Sequence, residues 1–212
     1  NDRVFLSKTV KIAFPVAMQG MLNTVVNISD TMMIASLGAT AIAAVGLANK
    51  VFFVMTLLVF GVVSGSGILA AQFWGNQDVK SIRKVLGLAL VLAAGAALAF
   101  FLPAVLCPRA VMRIFTTGEE TIRIGASYLV LAAFSYPFIA VSNTYVAMLR
   151  AVGQVKAPVV ISSVAILINI ALNYTLIFGK FGAPAMGVAG AAAAPLTARA
   201  VEMSALLGVV YL

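Results

Sequence analysis

Asp30 is the residue of this chain whose type and setting most directly imply chemistry. No charge lies between Ile12 and Ser29, and after Asp30 none follows until Lys50, so one carboxylate stands alone inside a long apolar stretch, VKIAFPVAMQGMLNTVVNISDTMMIASLG. Placing such an acid at the centre of a membrane helix costs roughly 2.5–3.5 kcal/mol, and acids kept there usually face an interior cavity and mark an ion or proton path. Asn169 and Asn173 are spaced i, i+4 in another apolar stretch and share one helix face. A carboxylate with two amide oxygens is an all-oxygen set suited to a hard cation such as Na⁺, and the carboxylate alone can take a proton. Asp30, Asn169 and Asn173 are therefore the candidate coupling-ion or proton site; the plainer reading is that each Asn simply bonds a neighbouring helix.

The elements that must carry these residues are spanning helices. Of 212 residues, 63% are hydrophobic and 9% charged, and the mean hydropathy is +1.11, far from the apolar share of a soluble domain. At about 20 residues per crossing, six spans fit, near 11–37, 41–74, 85–107, 122–149, 157–179 and 187–212. Pro15 falls near the start of the first, where a bend is expected, and Asp30 lies about 22 Å further along an ideal helix, in the outer half. The second span holds Lys50 and a glycine-rich patch, GVVSG from Gly61 to Gly65, which reads as a close helix contact. Between spans three and four, Pro108 to Arg123 reads as a short amphipathic surface helix and the start of the next helix, with Thr117 as its cap.

Lys and Arg number eight at the N-terminus and in the second and fourth loops, against four in the other loops. That bias places the N-terminus and the loops after helices two and four in the cytoplasm, in a multi-pass protein of the plasma or inner membrane. The +8 formal charge thus reports topology rather than nucleic-acid binding. The single Cys107 permits no intramolecular disulfide, and there is no His. With no nucleophile–base pair or metal-ligand set apparent, no enzyme and no cofactor are expected. Arg199 and Glu202, i, i+3 in the sixth span, read as a structural pair. Met32, Met33, Phe52, Phe53, Tyr136 and Tyr145 are the aromatic and Met candidates for the wall of a cavity that takes a lipophilic cation.

Four stretches carry a resemblance: FPVAMQGMLNTVVNISDTMMIASLGATAIAAVGLANK, GSGILAAQFWGNQD, SYPFIAVSNTYVAMLRAVGQVKAP and INIALNYTLIFGKFGAPAMGVAGAAAA. In this order the chain resembles the N-terminal lobe of the multidrug and toxic compound extrusion (MATE) family. The resemblance implies an all-α membrane fold of twelve spans in two six-helix lobes, of which this chain holds the first. It also implies export of organic cations, drugs or toxic compounds by alternating access, driven by Na⁺ or H⁺, with the C-terminal lobe and the bilayer as partners. It matches Asp30 to the coupling acid of the first helix, Pro15 to a proline whose bending follows that acid's protonation, and Asn169 to an Asn of the cation site. Asn173 stands where some members have an acid, Pro195 where a Thr is frequent, and Lys50 where a neutral polar residue is usual. Apart from the resemblance, Lys50 lies about nine residues past the outer turn and Asp30 about seven before it, so Lys50 is expected to meet Asp30 as an internal cation competing with the coupling ion; its alternative is to snorkel outward. The rival functions are a lipid-linked saccharide flippase of the same superfamily, and a non-transporting six-helix subunit or truncated remnant.

Overall fold

The computed structural model describes the backbone of residues 2–211 and the side chains of residues 13, 14 and 17–211. Among these residues all regular structure is helical, in the order α1 Asp2–Ala35, α2 Ala39–Gly75, α3 Val79–Leu106, α4 Pro108–Arg113, α5 Glu119–Ala133, α6 Ser135–Ala151, α7 Lys156–Phe178 and α8 Val188–Tyr211. Four of them, α2, α3, α7 and α8, are long and apolar enough to cross a membrane. The α5/α6 pair makes a fifth if counted as one span, bent by 43° at its break. The first expected span falls on α1, and the bend expected at Pro15 lies outside the residues whose side chains are described.

The connection between α2 and α3 is shorter than the sequence implies. The polar stretch expected as a loop, Gly75 to Lys84, is a turn of three residues, and Lys80, Arg83 and Lys84 sit on the first turns of α3. Asp78 makes this possible by capping α3. Its carboxylate accepts the Ser81 hydroxyl at 2.6 Å and the Ser81 backbone N–H at 3.0 Å, satisfying a donor that a helix start leaves open. Those bonds, the hydroxyl first, hold the Asp78 carboxyl below the usual range.

The stretch expected as the fourth span, 122–149, is not one continuous helix. It breaks at Phe134, whose ring packs edge-on against Phe101 of α3 at 5.3 Å. The surface helix after span three is present as α4, but Thr117 does not cap α5: Gly118 holds the cap position, and Thr116 Oγ1 accepts the Gly118 N–H at 3.3 Å.

Small residues set the packing. Much of the fully buried core is alanine, including Ala44, Ala89, Ala97, Ala133, Ala140 and Ala192, while Leu57, Leu58, Phe60, Leu88 and Val91 face outward. That is the pattern of helices whose outer faces meet lipid or another membrane-embedded surface. The glycine patch does not make the expected close contact, since a Cβ added at Gly61, Gly65 or Gly67 would meet nothing within 4 Å. Close approach occurs instead between α7 and α8, the most extensively packed pair. There a Cβ on Gly190 would come within 2.7 Å of the Leu176 carbonyl, and Gly179, at φ +66°, ends α7 in the left-handed conformation that glycine adopts freely.

Gly190→Ala is accordingly expected to force α7 and α8 apart and destabilise the protein by about 1–3 kcal/mol. Gly61→Ala should change stability by less than about 0.5 kcal/mol. Thermal unfolding of the two variants in detergent checks the contrast; equal melting temperatures would contradict it.

Candidate functional site

Three polar residues of α1 fall on one stripe with Ile34. Asn23, Asn27, Asp30 and Ile34 are spaced i, i+4, i+7 and i+11, and all four line a cavity of about 450 Å³. The same period on α2 brings in Val45, Asn49 and Phe52, on α7 Ile166, Asn169 and Asn173, and on α8 Ala191, Pro195 and Ala198. Tyr128 and Ser135 enter from α5 and α6. Several helices thus converge on one small space whose volume lies within the range of about 300–1,000 Å³ typical of small-molecule sites.

At its centre Asn173 Nδ2 donates to Asp30 Oδ1 at 2.7 Å, joining α7 to α1. The same nitrogen donates to Asn169 Oδ1 at 3.3 Å. Asn173 and Asn169 are both buried and Asp30 is half-buried. Asn173 Oδ1 is buried with no hydrogen-bond partner among the described residues. One amide therefore serves two acceptors with its nitrogen and leaves its own acceptor open in a low-dielectric setting, where an unmet polar atom costs about 1–3 kcal/mol. Beside this group the Tyr128 hydroxyl donates to Asn49 Oδ1 at 3.2 Å. On α8, Pro195 has no N–H to give the carbonyl of Ala191, and both residues line the cavity.

The structure brings Asp30, Asn169 and Asn173 together and leaves Lys50 out. Lys50 is exposed, does not line the cavity, and has no ion pair with Asp30. Asn49, one residue earlier and about 100° away in helical phase, lines the cavity in its place. Of the wall candidates, Phe52 and Phe53 line the cavity. Met33 only packs at the edge of the core, and Tyr136 is fully buried against Phe52 at 5.9 Å. Tyr145 is also buried and shares a 2.8 Å hydroxyl–hydroxyl bond with Tyr211. None of Met33, Tyr136 and Tyr145 reaches the cavity.

Asn23, Asn27, Asn49 and Tyr128 are cavity residues that the sequence did not single out. The first two were accessible to sequence, because they share a stripe with Asp30. Arg199 pairs with Glu202 at 2.6 Å, as expected, but it also reaches the cavity wall.

The MatE family model matches residues 15–175, most of the chain. The chain belongs to the MatE family. Among curated proteins it is 29% identical over 205 residues to "Probable multidrug resistance protein NorM" of Thermotoga maritima, covering 95% of this chain and 44% of that protein. It is 31% identical to the protein of the same description in Synechocystis sp., covering 93% of this chain and 43% of that one. A solved structure described as the "Outward-facing conformation of a multidrug resistance MATE family transporter of the MOP superfamily" superposes with a TM-score of 0.87 at 21% identity. That match covers 97% of this chain and 45% of the other, and shows a shared fold. This MatE chain thus spans under half the length of each of these relatives.

The geometry sets an expectation for double-mutant cycles read by thermal unfolding. Asp30→Asn combined with Asn173→Leu should show a coupling of about 0.5–3 kcal/mol, whereas Asp30→Asn combined with Lys50→Gln should be additive to within about 0.5 kcal/mol. Additivity in the first cycle, or coupling in the second, would contradict the placement.

Proposed function

We propose that this chain is one six-span lobe of a twelve-span antiporter, with α1 as the first span and α5 and α6 together as the fourth. The transporter exports organic cations, drugs or toxic compounds by alternating access against inward Na⁺ or H⁺, from the plasma or inner membrane. The N-terminus and the loops after the second and fourth spans lie in the cytoplasm. The observation that carries this reading is the 2.7 Å bond from Asn173 Nδ2 to Asp30 Oδ1 inside the polar cavity. Membership of the MatE family and the printed descriptions of the relatives support it.

The proposed chemistry is an exchange of partners at one carboxylate. Without a cation, the ionised Asp30 is held by the amide N–H of Asn173. A bound Na⁺, or a proton on Asp30, removes the need for that donor. The Asn173 amide can then turn and present its open Oδ1, adding an oxygen beside Asp30 and Asn169. The Ala191 carbonyl, left without an N–H by Pro195, is a further oxygen on the same cavity. Changing which atom of Asn173 faces Asp30 changes how α1 is tied to α7, and so couples occupancy to the position of α1. A bend at Pro15, expected from sequence, is assigned to that movement.

The test is efflux of a fluorescent organic cation from cells expressing the full-length protein, with sodium and proton gradients collapsed separately. Wild type is expected to lose efflux when one of the gradients is removed, and Asp30→Asn to reduce it at least about tenfold at equal expression. Efflux in Asp30→Asn equal to wild type would overturn the assignment of Asp30, and no efflux from wild type would overturn the export reading.

A further inference from the structure

Asp30 is not the only charge on the cavity wall. Arg199 lines it from α8, next to Ala198 and one turn after Pro195. Its side chain retains 35% exposure, while that of its partner Glu202 retains 4%. The Glu202 carboxylate is fully engaged from behind: Oε2 accepts Arg199 Nη1 at 2.6 Å, and Oε1 accepts the Ser162 hydroxyl of α7 at 2.6 Å. This is an anchored guanidinium. A buried carboxylate fixed by a second helix holds one edge of it, and a guanidinium carries five N–H donors in a rigid fork. Among the described residues, Glu202 takes the one hydrogen bond that Arg199 donates.

A pair made only to lock α7 to α8 has no need to reach the cavity. Those helices already meet at Gly190, and a serine–carboxylate contact would suffice deeper in the interface. The donors that Glu202 leaves open on Arg199 are what this part of the wall can offer a ligand, and a guanidinium fork suits a planar oxyanion, the geometry in which Arg binds carboxylates most strongly. The paired Glu202 offsets the formal charge of Arg199, so a cation drawn to Asp30 is not excluded from the cavity.

We propose that Arg199, positioned by Glu202 and Ser162, is a specificity-determining residue that recognises an anionic group on the cargo, so that this lobe prefers molecules carrying a carboxylate or similar oxyanion together with a cationic centre. This rests on the export reading above. It extends that reading from cations in general to cargo that satisfies Asp30 and Arg199 at once.

The test is fluorescence polarisation of the purified full-length protein with two dyes of one skeleton. Tetramethylrhodamine bears a carboxylate beside its cationic ring system; its methyl ester lacks the anion. The readout is the ratio of the two affinities, carboxylate over ester, which removes the greater oiliness of the ester from the comparison between variants. That ratio is expected to fall about tenfold in Arg199→Gln/Glu202→Gln, a pair that leaves no buried carboxylate unmatched. Should the double variant fail to fold, Arg199→Lys keeps the charge but loses the fork, and the ratio should fall about threefold. A purely structural latch would alter the melting temperature and leave the ratio unchanged, which overturns the proposal. Asp30→Asn separates the two readings. If both dyes bind in an Asp30-dependent way and the ratio does not respond to Arg199, the recognition role alone fails. If Asp30→Asn leaves the binding of both dyes unchanged, or if neither dye binds wild type, the export reading fails with it.

Discussion

A carboxylate in an apolar helix must be given a partner, and in this chain the rest of the fold is arranged to give Asp30 one. The donor is Asn173 on α7, and α7 is the helix against which α1 chiefly packs. Position 173 is fixed in turn because α7 lies so close to α8 that glycine alone fits at position 190. The chain of constraint runs from a backbone contact between α7 and α8, through the amide of Asn173, to the acid on α1. Without the first contact the second would lose its aim, since a hydrogen bond of 2.7 Å tolerates only tenths of an ångström.

The interior around that chain is slender. Alanines fill much of the core between helices, and the large apolar side chains point outward. In a membrane this division follows from the solvent: lipid-facing Leu and Phe gain nothing by turning inward, and close helix contact depends on small side chains. The space left where the polar stripes of several helices meet is the cavity. Two irregularities border it, the break between α5 and α6 at Phe134 and the proline within α8 at Pro195. Such breaks are tolerated at membrane depth where the freed backbone lines a cavity or is buried in protein.

Composition and apolar run length were enough to read the membrane-helix class and the rough position of the spans, because a helix in lipid must be apolar nearly all round. They were not enough for boundaries, since the Asp78 cap lets α3 begin six residues earlier than its first uncharged run. Asp30 and the i, i+4 pair Asn169 and Asn173 were legible because charge and amide groups are conspicuous in apolar sequence. Helix phase was the hidden variable. It turns Asn49 toward the cavity, and it places Phe53 at the cavity while burying Tyr136 in the core. The double role of Arg199 could not be read from its i, i+3 pairing, because that spacing is satisfied equally well by a pair facing lipid and by one facing a cavity. The glycine patch on α2 misled for a related reason: spacing announces a close contact only when a neighbouring helix is there to make it.

The central claim is that Asp30 is the group at which the coupling cation is exchanged. Infrared difference spectroscopy of the purified full-length protein tests it most directly, with a sodium step at fixed pH and a pH step at fixed sodium. The account predicts a carboxyl or carboxylate band that shifts in at least one of the two steps and is missing from the same spectrum of Asp30→Asn. Identical difference spectra from wild type and Asp30→Asn in both steps would contradict it.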